Sequence, residues 1–111
     1  MAVYDRASGK EYVDYQLDIY GILNNVVKVT SNYTANYGDI VLVDASGGAV
    51  TITLPSPKAG AFINVKKIDS SSNAVTIDGG GANIDGQASI QITTQYESYT
   101  LVSDGSNWWI I

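Results

Sequence analysis

The eleven acidic side chains are the leading candidates for proton-transfer chemistry, because the chain has no histidine and no cysteine. Losing histidine removes the commonest general base, the usual transition-metal ligand and the usual pH switch together. Losing cysteine excludes disulfides and thiolate metal sites and leaves the redox compartment open. Two carboxylates about 5–10 Å apart suffice for glycoside hydrolysis. No pair stands out, however: the acids flank strand-like runs, where turns favour aspartate. Serines are plentiful, but a serine nucleophile needs a nearby base, and no Ser-x-x-Lys spacing supplies one. Nor is there a Gly-x-x-x-x-Gly-Lys phosphate loop. The reading is that the chain is not an enzyme and needs no cofactor.

Calcium takes oxygen ligands, so Asp78-Gly79-Gly80-Gly81-Ala82-Asn83-Ile84-Asp85-Gly86 is the stretch to weigh for a metal. The segment occurs once and lacks the aspartate spacing of a calcium-binding β-roll. It reads instead as a glycine-rich loop followed by an Asp85-Gly86 turn, with no metal expected. Trp108 and Trp109 have rings that could stack on a sugar. The favoured reading places one in the core and the other in an interface. Lys66-Lys67 is too short for an anion-binding patch and reads as protection of an edge strand.

These groups must be carried by β-structure. In Ala49-Val50-Thr51-Ile52-Thr53-Leu54, Val50, Ile52 and Leu54 alternate with threonines, the period of a half-buried strand. Val75 and Ile77, Ile90 and Ile92, and Tyr99 and Leu101 repeat the pattern. Phe62 to Lys67 is strand-like but mixed. Ile40-Val41-Leu42-Val43 is continuously apolar between two aspartates, as expected of a central strand covered on both sides. Asp44 to Gly48 reads as a hairpin loop. Pro55 to Gly60 cannot lie inside a sheet. Asp104-Gly105, between apolar runs, predicts a tight I′ hairpin turn. Short strands spaced by turns predict about eight or nine strands in one all-β domain, a compact antiparallel β-sandwich or barrel-like unit over residues 26–111.

The closing Trp108-Trp109-Ile110-Ile111 is apolar on both faces, since successive strand side chains point to opposite sides. One face can lie on the chain's own core. The other calls for a second layer, another subunit or a docking surface, and Val41, Val43, Trp109 and Ile111 are the expected oligomer interface. Residues 1–25 differ: Tyr4, Tyr12, Tyr15 and Tyr20 lie there, and Asp14 to Tyr20 fits either a strand or a short helix. This segment reads as a partly extended N-terminal docking arm.

Composition bounds the partners. At 111 residues the chain is one domain, and its initial Met is read as the start of a complete gene product. No signal peptide is expected, and no apolar run reaches membrane-spanning length. A net charge of −5 argues against nucleic acid as partner.

Several stretches resemble a β module found in structural proteins of tailed bacteriophages. They are Tyr37-Gly38-Asp39-Ile40-Val41-Leu42-Val43-Asp44, Gly48 to Pro55, Val65-Lys66-Lys67-Ile68-Asp69-Ser70-Ser71-Ser72-Asn73 on to Ile77, and Tyr96 to Trp109. The likeness covers about residues 30–111. It implies a β-sandwich that forms homotrimers on the outside of a virion, and it carries no catalytic residues. Such modules occur in capsid decorations, head fibres and tail-fibre tips. Capsid decoration (a cement protein made in the host cytoplasm) is preferred here, because an arm of about 25–30 residues reaches roughly 80–100 Å extended, too short for a shaft. Tyr4, Tyr12, Tyr15, Leu17, Ile19 and Tyr20 are then the expected contacts with the major capsid protein, tyrosine burying a ring while keeping a polar tip. The alternatives are a receptor-binding tip recognising a host glycan or protein and, third, a small depolymerase.

Overall fold

A computed structural model describes residues 24–111, which form nine strands and no helix. In chain order these are β1 (Asn25–Val29), β2 (Tyr33–Thr34), β3 (Asp39–Val43), β4 (Val50–Thr53), β5 (Phe62–Lys67), β6 (Val75–Asp78), β7 (Ser89–Ile92), β8 (Ser98–Ser103) and β9 (Trp108–Ile110). They make a five-stranded sheet, β1-β3-β5-β8-β9, and a four-stranded sheet, β2-β4-β6-β7. The β-structure begins at Asn25, one residue before the expected boundary.

Both sheets are mixed, which corrects the antiparallel expectation. The pairs β1–β3, β3–β5, β2–β4 and β4–β6 are parallel, whereas β5–β8, β6–β7 and β8–β9 are antiparallel. The physical reason lies in the loops. Parallel neighbours need a crossover rather than a tight hairpin. Here the crossover is a strand of the opposite sheet: β3 leaves one sheet, β4 passes through the other, and β5 returns beside β3. Asp44 to Gly48 is therefore a corner between sheets and not a hairpin loop. The winding reverses after β6, when β7 turns back beside it.

The period-two pattern then assembles the core. Val41 lies beside Val65 in one sheet, and in the other Val50 lies beside Val75 and Ile52 beside Ile77. All six are buried and belong to one apolar cluster that also takes in Ile63, Leu101 and Trp108. Each such aliphatic side chain contributes roughly 1.5–3 kcal/mol through burial.

The glycine-rich stretch has a defined job. Asp85 and Gly86 have φ of 48° and 83°, and Ile84 and Gln87 exchange backbone hydrogen bonds of 2.6 and 2.9 Å. This is the two-residue turn with both central residues left-handed. It presents Ile84 to the core and lays its backbone beside Trp108, covering part of the edge of β9. By contrast, β8 and β9 are joined by four residues, Asp104 to Asn107, of which Gly105 alone has positive φ. The Asp104 carboxylate accepts the Ser106 and Asn107 N–H groups at 2.9 Å. The expected hairpin exists, but a side-chain-closed loop replaces the I′ turn.

Candidate interaction surface

Lys67 belongs to a close buried pair of charged groups, and it is not at an edge. β5 is the central strand of its sheet, and Lys67 points inward with no exposure. The charge is held because Lys67 and Asp69, two residues apart, form an ion pair of 2.7 Å. Ser71 donates its hydroxyl to the same carboxylate oxygen, and Asp69 also accepts the Ala45 N–H at 2.7 Å and the Ser71 N–H at 3.1 Å. Asn73 closes the group by donating to the Ala45 carbonyl at 2.8 Å. Burial pushes the Asp69 carboxyl up, but the Lys67 ammonium and these donors outweigh it and hold it well below the usual carboxylate range. The cluster ties the corner after β3 to the corner after β5. Ser71 also lies 3.4 Å from the Lys67 nitrogen, and Lys67 has no exposure to solvent. The edge-protection reading of Lys67 is thus replaced by an internal clamp.

A second buried carboxylate, Asp39, ties the start of the winding. It accepts hydrogen bonds from the Asn25 amide at 3.0 Å, the Tyr33 hydroxyl at 2.7 Å and the Asn36 N–H at 2.9 Å. Burial raises its pKa, while these three donors together bring it below its ordinary value. In the glycine-rich loop, Asp78 accepts the Gly80 N–H at 2.8 Å and Asp85 the Ile110 N–H at 3.0 Å. Among the described residues no three acidic side chains gather as a metal site would require.

The surface is more informative than the interior. Strand register places side chains on the outer face of the five-stranded sheet in levels. Phe62, Val102 and Trp109 share one level. Val26, Ile40, Asn64 and Thr100 share the next, with Ile111 beside Thr100 through a backbone hydrogen bond of 3.0 Å. Lys28, Leu42, Lys66 and Ser98 form the third. Val26, Trp109 and Ile111 are 61 %, 46 % and 78 % exposed. Ile40, Leu42, Phe62 and Val102 are half-buried. Trp109 is held in place by its indole N–H, which donates to Asp104 at 3.0 Å.

The expected interface residues therefore separate. Trp109 and Ile111 lie on this outer face. Val41 and Val43 do not: both are fully buried in the chain's own core and have no surface to offer a partner. Their strand neighbours Ile40 and Leu42 take the outward positions, because β3 alternates from a buried Asp39. Phe62, Val102 and Val26 were not anticipated; reading each strand's second face in register would have found them. The arm contacts Tyr4, Tyr12, Tyr15, Leu17, Ile19 and Tyr20 lie outside the described residues.

Two exposed tyrosines carry lysine ammonium groups over their rings, Tyr37 with Lys58 and Tyr96 with Lys66, each at 5.7 Å. Tyr96 adopts φ of 69°, uncommon for a bulky residue, with its N–H bonded to the Lys67 carbonyl at 2.7 Å. An open groove between Thr30 to Asn32 and Gly47 to Ala49 contains neither charge nor aromatic ring. In comparisons with known proteins, the sequence matches no family model and no curated protein.

Proposed function

We propose that this chain is a structural protein of a tailed-bacteriophage virion: a trimeric β-sandwich capsid decoration that docks on the major capsid protein through residues 1–25 and stabilises the shell. One observation carries the reading. The sheet presents Trp109, Ile111 and Val26 outward beside half-buried Phe62 and Val102, an arrangement suited to assembly. The resemblance of residues 30–111 to phage virion modules supplies the setting, the outer surface of the capsid. Three arms on one trimer would engage neighbouring capsid subunits and raise avidity without new kinds of contact.

Deleting residues 2–25 tests the docking. The truncated chain should remain folded and oligomeric but should no longer sediment with shells. Sedimentation of the truncated protein with shells would sink the arm mechanism. A second reading, a receptor-binding tip, is favoured by the exposed Tyr37–Lys58 and Tyr96–Lys66 pairs. Adhesion of the purified protein to host cells, or inhibition of infection by it, would favour that reading. Hydrolysis of a capsular polysaccharide would overturn the non-enzymatic one.

A further inference from the structure

The first winding of the chain rests on the body without entering its core. β1 and β2 are terminal strands of their sheets, β1 beside β3 and β2 beside β4. No residue of either is buried, whereas β3 buries Asp39, Val41 and Val43, and β4 buries Val50 and Ile52. The buried apolar cluster begins at Ala35, and of the residues described before it only Val29 and Tyr33 pack against it. Without β1 and β2 the sheets would still run β3-β5-β8-β9 and β4-β6-β7 around that cluster. Three or more strands with an apolar face suffice for independent stability. Segments with few buried apolar contacts open at lower free energy than the core they lie on.

We propose that residues 25–34 form a strap that opens and closes on an intact body, with Asp39 as its latch. Asp39 lies on β3, which stays with the body, and is 1 % exposed. Its carboxylate accepts the Asn25 amide at 3.0 Å, from the start of β1, and the Tyr33 hydroxyl at 2.7 Å, from β2. One buried group therefore grips both strands of the strap. Hydrogen bonds to a charge are roughly twice as strong as neutral ones, so this grip outweighs any single ladder bond. Ala35, buried and bonded to the Thr53 carbonyl at 2.8 Å, marks where the strap ends and the body begins. Opening releases chiefly Val27, Val29 and Tyr33, which are already half-exposed, so little apolar burial is lost. Residues 1–23 lead straight into β1, and a load applied through them meets the strap before the core. On the docking reading above, the strap is the joint between anchor and body; its test needs no shell and is independent of that reading.

Residue-resolved amide hydrogen exchange on the full-length protein tests this. Two body amides bond across the boundary and report on the strap: Asp44 donates to the Val29 carbonyl at 2.9 Å, and Thr51 to the Asn32 side chain at 2.8 Å. Leu54, Ile68 and Trp108 serve as references, since they donate to Asp78, Val43 and Asn83 within the body. In the wild type the two reporters should exchange at least about tenfold faster than the references. Tyr33→Phe and Asn25→Ala each remove one bond to Asp39 and leave the core side chains in place. Each should speed the reporters by about tenfold or more, as for loss of a hydrogen bond to a charged group, with the references within about twofold. Lys28→Thr, at an exposed strap position paired with Leu42, should change neither set. Wild-type reporters as slow as the references, or reporters and references sped together by Tyr33→Phe, would show one cooperative unit and overturn the strap. Reporters unmoved by both latch variants, or sped equally by Lys28→Thr, would overturn the assignment of Asp39.

Discussion

Trp108 and Trp109 are neighbours in β9 and project from opposite sides of one sheet, the first with no exposure and the second 46 % exposed. Trp108 fills the core beside the Ile84 turn, and its indole N–H is buried without a hydrogen-bond partner. Trp109 is held on the outside by Asp104. The two indoles therefore do different work, one in folding and one at the surface.

Truncating each should separate those roles. Trp108→Ala should destabilise the fold by about 3–5 kcal/mol, the range for deleting a large core aromatic. Trp109→Ala should change the stability of the single chain by about 1 kcal/mol or less, as for an exposed position. Urea denaturation at one fixed, low protein concentration measures both, since association itself shifts apparent stability.

Lys67→Met keeps the aliphatic stem but leaves Asp69 charged and buried without its cation. Breaking such a pair from one side costs about 3–5 kcal/mol. Lys66→Met, on the same strand but facing out, should cost less than about 1 kcal/mol. The contrast between adjacent lysines, read by thermal or urea unfolding, tests the internal clamp directly.

Acid should weaken the fold through Asp69 and Asp39. Both carboxyls are held below their ordinary values in the folded chain, despite burial that opposes this. A depressed folded pKa contributes stability above the unfolded value of about 4, which is lost as pH falls towards the folded value. Urea midpoints should hold steady near neutrality and drop below about pH 4. Asp69→Asn should be less stable at pH 7 and lose less on acidification. An equally steep acid loss in that variant would contradict the assignment.

Glycines offer a fourth check. A Cβ at Gly79 would sit 2.0 Å from the Ala82 carbonyl oxygen, whereas at Gly47 it would meet nothing within 4 Å. Gly47 also has no positive φ. Gly47→Ala should be neutral or stabilising by about 0.4–1 kcal/mol, and Gly79→Ala destabilising by more than that. Thermal unfolding of the two variants decides it.

Much of the strand inventory was legible in the sequence, because alternation is local: Val50, Ile52 and Leu54 mark β4, and Phe62 to Lys67 is β5 as expected. The pairing was not. Whether Asp44 to Gly48 closes a hairpin or rounds a corner depends on where the next strand lands, which no short window reveals. The Asp-Gly dipeptides at 85–86 and 104–105 look alike locally, yet the tight turn forms at Asp85-Gly86, while Asp104-Gly105 joins a longer loop closed by Asp104. Lys67 reads as part of an exposed edge because it stands in a lysine pair, and adjacent charges on a strand suggest solvent. Its partner two positions on, on the same face of an extended segment, was the available signal. At the surface, the apolar ends of β9 announced an exposed Trp109 and Ile111, but the contributions of Val26, Phe62 and Val102 depend on register across the sheet.

The crossing path of the chain also shapes how it must fold. Val50 finds its neighbour at Val75, and Phe62 finds Val102. Few native contacts can form before distant segments meet, so loop closure precedes the reward of pairing, and topologies of this kind reach the native state slowly. During that delay the sticky outer strands stay unprotected, and refolding yield should fall as protein concentration rises.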